Sequence, residues 1–145
     1  GGGGGGAGGF GGAGGTVGLP GQGGFGGGTG DVGYSGSGGG LGGAIFIRSG
    51  SLLLNQVSFE GNAAIAGPGP SPGQGKGGAI FISPGPETPE SPGTQQPTPK
   101  KPPRVWLLGK PPTFLNNTAT DAAELPIDNN NIFGLVFHRE ISAKK

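Results

Sequence analysis

The sequence predicts an all-β fold of short strands and turns, joined to a glycine-triplet segment of the polyglycine II type. Three observations predict it. Every third residue from Gly3 to Gly42 is glycine, 14 positions of 14, whereas the other two phases of that stretch hold 12 glycines in 28 positions. The hexapeptide Gly42-Gly43-Ala44-Ile45-Phe46-Ile47 returns letter for letter as Gly77-Gly78-Ala79-Ile80-Phe81-Ile82, 35 residues later. The apolar runs after residue 42 are 4–7 residues long, rich in β-branched and aromatic side chains and bounded by turn residues. Such runs suit strands and not helices.

Residues 1–42 form the first segment. A strict period of three is the signature of a helix with three residues per turn. Written as Gly-X-Y, the X positions bring Phe10, Leu19, Phe25 and Tyr34 onto one edge, and the Y positions carry a mixed set that includes Val17, Pro20, Val32 and Leu41. The third edge has no side chains, so another backbone can approach it closely. The glycines of that phase are therefore candidate assembly residues: Gly12, Gly15, Gly18, Gly21, Gly24, Gly27, Gly30 and Gly33. A collagen triple helix fits less well, because Pro20 is the only proline in the segment and a triple helix uses far more imino acid. Side-by-side polyglycine II packing is the preferred reading, with a flexible linker as the bland alternative. Ordering a glycine-rich chain costs ~1–2 kcal/mol per residue, so order is expected only where many backbones pack together.

Residues 43–137 read as two copies of one unit. A second recurrence sets Val57-Ser58-Phe59-Glu60-Gly61-Asn62-Ala63-Ala64 against Pro112-Thr113-Phe114-Leu115-Asn116-Asn117-Thr118-Ala119, at an offset of 55. The difference between 55 and 35 predicts an insertion of about 20 residues, and residues 83–103, with eight prolines, supply it. Proline has no N–H to give to a ladder, so this insertion is read as an extended loop. The offset of 55 also sets Val105-Trp106-Leu107-Leu108 against Gly50-Ser51-Leu52-Leu53. Strand alternation turns either Ile45 and Ile47 or Ala44 and Phe46 inward, with Phe81 equivalent to Phe46. Gly-Gly allows a tight corner with φ > 0. Phe59 and Phe114 are expected to stack, and Asn62 and Asn117 to occupy equivalent corners where amides bond turn backbone and form a ladder. Asp128-Asn129-Asn130-Asn131 is a turn signal, Ile132 to Phe137 reads as one final strand, and residues 138–145 read as a polar tail.

The combination of Gly-Gly-Ala-Ile and Phe-x-x-Asn, carried by Gly42 to Ile47, Phe59 to Asn62, Gly77 to Ile82 and Phe114 to Asn117, resembles the repeats of polymorphic outer-membrane proteins and related bacterial surface β-helix proteins. The glycine-rich segment also resembles those of large repeat proteins of cyanobacterial surfaces. The resemblance covers roughly residues 42–120. It implies a right-handed parallel β-helix displayed outside a bacterial cell, at the surface or beyond it. The chain departs from that pattern in its proline-rich insertion, in having no membrane β-barrel sequence after the repeats, and in holding two copies where ~3 usually stabilise a stack. Exposed faces and edges of so short a stack invite pairing, so self-association or pairing with neighbouring repeats of a longer chain is expected.

Other chemistry is thin. Glycine is 39 and proline 15 of 145 residues and apolar residues are 30 %, which leaves only a small core. A formal charge of +1 gives no electrostatic case for nucleic acid. There is no cysteine, so disulfides and thiolate sites are excluded. No apolar run approaches the ~20 residues of a membrane span. The absence of methionine suggests a processed chain or a piece of a longer one. His138, the single histidine, and the small basic spot at Lys100, Lys101 and Arg104 read as solvated. Asp121, Glu124 and Asp128 are the one candidate set for Ca2+, which takes several oxygen ligands, but their spacing fits no calcium loop. The repeated Gly-x-Gly-x-x-Gly matches are trivial in this composition, and Asn116-Asn117-Thr118 is a glycosylation sequon. No convergent carboxylates or other catalytic set is visible, so neither an enzyme nor a cofactor is expected. The functional reading is assembly into a filament, sheath or stalk. The alternatives are an adhesin whose loop 83–103 contacts a host or a polysaccharide, and a flexible spacer.

Overall fold

Apolar runs broken every few residues by glycine, asparagine or proline cannot extend far. The computed structural model accordingly has twelve strands of two to five residues and no helix among the residues it describes, which are 27–28, 37–69, 72–84 and 101–139. A first pass of the chain holds β1 (Gly40–Leu41), β2 (Ile45–Ile47), β3 (Ser51–Asn55), β4 (Ser58–Glu60) and β5 (Ala63–Ala64). A second holds β6 (Gly75–Lys76), β7 (Ile80–Ile82), β8 (Arg104–Leu108), β9 (Thr113–Leu115) and β10 (Thr118–Ala119). A partial third holds β11 (Ile132–Phe133) and β12 (Val136–Arg139). Each strand of the first pass pairs with its counterpart in the second, in chain order, and β11 and β12 add to β7 and β8. Every one of these ladders is parallel.

The register follows the sequence repeat at both ends and departs from it in the middle. Ile45, Phe46 and Ile47 pair with Ile80, Phe81 and Ile82, the 35-residue offset. Phe59 pairs with Phe114 and Ala63 with Thr118, the 55-residue offset. Between them Leu52 pairs with Val105 and Leu54 with Leu107, an offset of 53. The expected alignment of Val105 with Gly50 is therefore wrong by two residues. Two residues, Gln56 and Val57, join β3 to β4, whereas four, Gly109 to Pro112, join β8 to β9, and this longer turn restores the offset of 55. A slip of two preserves which face each side chain takes, whereas a slip of one would turn the core outward.

The isoleucines face inward. Ile80, Ile82, Ala79, Val105, Leu107, Leu54, Phe59 and Ile132 form the core, with Ile45, Ile47, Leu52, Val57, Phe114 and Val136 packed around it. Burial of one such large side chain contributes about 1.5–3 kcal/mol. Phe46, Phe81 and Phe133 lie on the opposite face of the same sheet by alternation. The last apolar run is two strands and not one. At Gly134 φ is +105°, and the turn there sends Ile132–Phe133 to β7 and Val136–Arg139 to β8. His138 and Arg139, expected in the polar tail, continue the ladder opposite Leu107 and Leu108. Leu41, expected in the triplet segment, is buried in β1 opposite Lys76.

Candidate functional site

The features that set this fold apart are columns of like side chains running across the passes. Parallel pairing places equivalent residues one above another, so a repeated phenylalanine becomes a stack. Phe46 and Phe81 have ring centroids 5.3 Å apart at an interplanar angle of 3°. Phe81 and Phe133 continue the column at 5.0 Å and 4°. Phe59 and Phe114 form a second column at 5.4 Å and 12°. Offset-stacked aromatic pairs contribute about 0.5–1.5 kcal/mol beyond their burial.

A third contact between the passes is built from amides. Asn62 donates its backbone N–H (3.0 Å) and its Nδ2 (2.9 Å) to Asn117 Oδ1. Asn117 Nδ2 in turn donates to the Phe59 carbonyl at 3.0 Å and to Asn131 Oδ1 at 3.1 Å. The structure thus brings together the two predicted asparagines, and Asn131, which stands beside Ala79 in the register, joins them from the side. The sequence signal for it was the Ile132-Phe133 pair that follows, a remnant of Ile80-Phe81. Phe133 was missed for the same reason.

The corner glycines have two distinct duties. Gly42 and Gly77 take φ of +71° and +62°, the left-handed conformation expected of a Gly-Gly corner. The second glycine of each pair is held by space. A Cβ on Gly43 would lie 2.2 Å from the Gly78 carbonyl oxygen, and one on Gly78 would lie 2.3 Å from those of both Asn130 and Thr118.

Of the assembly glycines, Gly12, Gly15, Gly18, Gly21, Gly24, Gly30 and Gly33 lie outside the described residues, and Gly27 is half-buried. The end of the triplet segment joins the first pass, where Gly40 N donates to the Gln74 carbonyl and Gly42 N to that of Lys76. Here the closest approach falls on a glycine out of the every-third phase: a Cβ on Gly40 would lie 2.2 Å from the Ile65 carbonyl oxygen.

The segment entering the third pass is held by an ion pair with no local sequence signal. Lys76 Nζ lies 2.6 Å from Asp128 Oδ2, with both side chains largely buried, and it also donates to the Asp121 carbonyl. Asp128 Oδ1 is buried with no hydrogen-bond partner. Removing one member of a buried pair strands the other charge and costs about 3–5 kcal/mol, whereas replacing both by apolar groups is often neutral. Lys76→Met is expected to lower unfolding free energy by about 3 kcal/mol, and Lys76→Met with Asp128→Leu to recover most of it. Urea titration reads both, and a single variant within about 0.5 kcal/mol of the parent would show the pair to be dispensable.

The carboxylates weighed for Ca2+ engage different protein groups. Asp121 Oδ2 accepts from Gly75 N at 2.7 Å, Asp128 pairs with Lys76, and Glu124 Oε1 accepts from Asn130 Nδ2 at 3.5 Å. Among the described residues no group of three or more His, Cys, Asp or Glu is placed to hold a metal ion. His138 is exposed in β12. Among the described residues no helix is long and apolar enough to cross a membrane. Compared with protein-family models, with curated proteins and with solved structures, the chain matches none.

Proposed function

We propose that this chain is a structural module of an extracellular bacterial surface protein. It stacks on copies of itself, or on neighbouring repeats of a longer chain, into a filament, sheath or stalk. In this reading the passes are rungs of a right-handed parallel β-helix, the right hand following from the strong preference of parallel crossovers. The carrying observation is like-on-like stacking, Phe46 on Phe81 on Phe133 and Asn62 on Asn117. Columns of identical side chains perform no reaction; they fix register between passes, and a column is extended by adding passes. Among the described residues β3, β4 and β5 each have a single ladder partner, and open parallel edges favour further pairing. The glycine triplets supply a second packing surface, with Gly24 near the middle of their run.

Electron microscopy of the native, unheated material tests the reading. Regular filaments with a helical repeat are expected. Gly24→Val, in the every-third phase, should disrupt them, and Gly23→Val should be milder. Isolated particles, or equal effects of the two substitutions, would remove the assembly argument.

A further inference from the structure

The outward face of the sheet formed by β3, β8 and β12 has no part in the core. Alternation turns Leu53, Trp106 and Phe137 outward, and the register lines them up as one stripe across the three strands. Leu53 is 57 % and Phe137 40 % exposed, and Trp106 is half-buried between them. The rings of Trp106 and Phe137 lie 5.0 Å apart at 36°. Two residues before Trp106 stands Arg104, and two residues after Phe137 stands Arg139, both exposed, so a guanidinium flanks the stripe on each side. Along four residues of strand and one strand spacing they are about 14 Å apart. Lys110, exposed in the turn after β8, adds to the same sign. None of the three strands contains an aspartate or glutamate, and among the described residues no carboxylate pairs with either arginine.

We infer that this face is a binding site for an acidic polysaccharide. The apolar ring faces of the sugars lie against the Leu53–Trp106–Phe137 stripe, and carboxylate or sulfate groups on either side meet Arg104 and Arg139. Guanidinium suits such planar or multidentate anions. Charge complementarity identifies the partner as anionic. The aromatic arrangement favours a glycan over a nucleic acid, because Trp106 and Phe137 form one continuous patch tilted by 36° and not the separate flat platforms on which successive bases stack.

The test is calorimetric titration of the full chain with polygalacturonate, with dextran as the neutral polymer and an oligothymidylate as the competing polyanion. Polygalacturonate should bind, weaken as salt rises, and exceed both comparators. Phe137→Ser should weaken binding about tenfold, and Arg104→Ser with Arg139→Ser about tenfold or more. Both arginines are exposed, so the urea midpoint of the double variant should stay near that of the parent, whereas Phe137→Ser also loses its ring contact with Trp106 and should lower it while the chain stays folded. Filaments formed normally by the double arginine variant would separate this site from assembly. No binding, parental binding by the folded variants, equal binding of dextran, or tighter binding of oligothymidylate would each overturn the proposal.

Discussion

Gly78→Ala is expected to cost about 4 kcal/mol or more, enough to unfold a domain whose total stability is about 5–15 kcal/mol. One added methyl has this effect because backbone surrounds the position. The Cβ would lie 2.3 Å from the Asn130 carbonyl oxygen on one side and 2.3 Å from that of Thr118 on the other. Neither atom is the tip of a side chain that can swing away. Relief requires parting the chain that enters the third pass from β10, where Ala119 N donates to Asn130 Oδ1 at 2.9 Å. Gly43 is the same position one pass earlier and should respond in the same way. The control is Gly50→Ala: φ there is +87° and the surroundings are open, so only backbone strain of about 1 kcal/mol is expected. Gly61→Asn should be near neutral, because Gly61 has φ of +64° in open space and Asn116 fills the equivalent corner at +53°. Urea midpoints should be lowest for alanine at Gly78 and Gly43, higher for Gly50→Ala and highest for Gly61→Asn. A folded Gly78→Ala chain within about 1 kcal/mol of the parent would mean that the passes are not packed this closely.

This contrast shows what a repeat can and cannot convey. Two identical Gly-Gly-Ala-Ile-Phe-Ile segments gave the register of β2 with β7, and two Phe-x-x-Asn segments gave that of β4 with β9. Both are unique local matches. The middle strands offered Leu52-Leu53-Leu54 against Val105-Trp106-Leu107-Leu108, apolar runs that align at several offsets, and only the turn at Gly109 to Pro112 decides between them. The third pass was hidden because Asn130-Asn131-Ile132-Phe133 keeps just the Ile-Phe of its predecessors. It carries Asn130 where the second pass has Gly78. Lys76 and Asp128 are 52 residues apart, and a single charge pair at that distance leaves no periodic trace. Arg104 read as part of a solvated basic spot beside Lys100 and Lys101. It shares a strand face with Trp106, and β12 sets Phe137 beside that ring.

Asn117→Ala is expected to cost about 3 kcal/mol, the second large effect. Asn117 is 6 % exposed, and its amide satisfies groups on both sides of it. Truncation removes the acceptor of Asn62 N and Nδ2 and the donor to the Phe59 carbonyl and Asn131 Oδ1. Groups left buried and unpaired cost about 1–3 kcal/mol each, and partial access of water to the half-buried Asn62 limits the sum. Asn62→Ala removes one side-chain bond and leaves the backbone N–H of residue 62 bonded to Asn117, so about 1 kcal/mol is expected. The double variant should then be less costly than the sum, with a coupling of about 0.5–1 kcal/mol. Asn117→Asp separates shape from hydrogen bonding. It retains Oδ1 for Asn62 but turns a carboxylate oxygen towards the Phe59 carbonyl and Asn131 Oδ1, where an amide had donated. It should therefore be at least as damaging as alanine at neutral pH. If Asn117→Ala instead lost less than about 0.5 kcal/mol, the amide contact would be a consequence of the register, and the phenylalanine columns alone would hold the passes together.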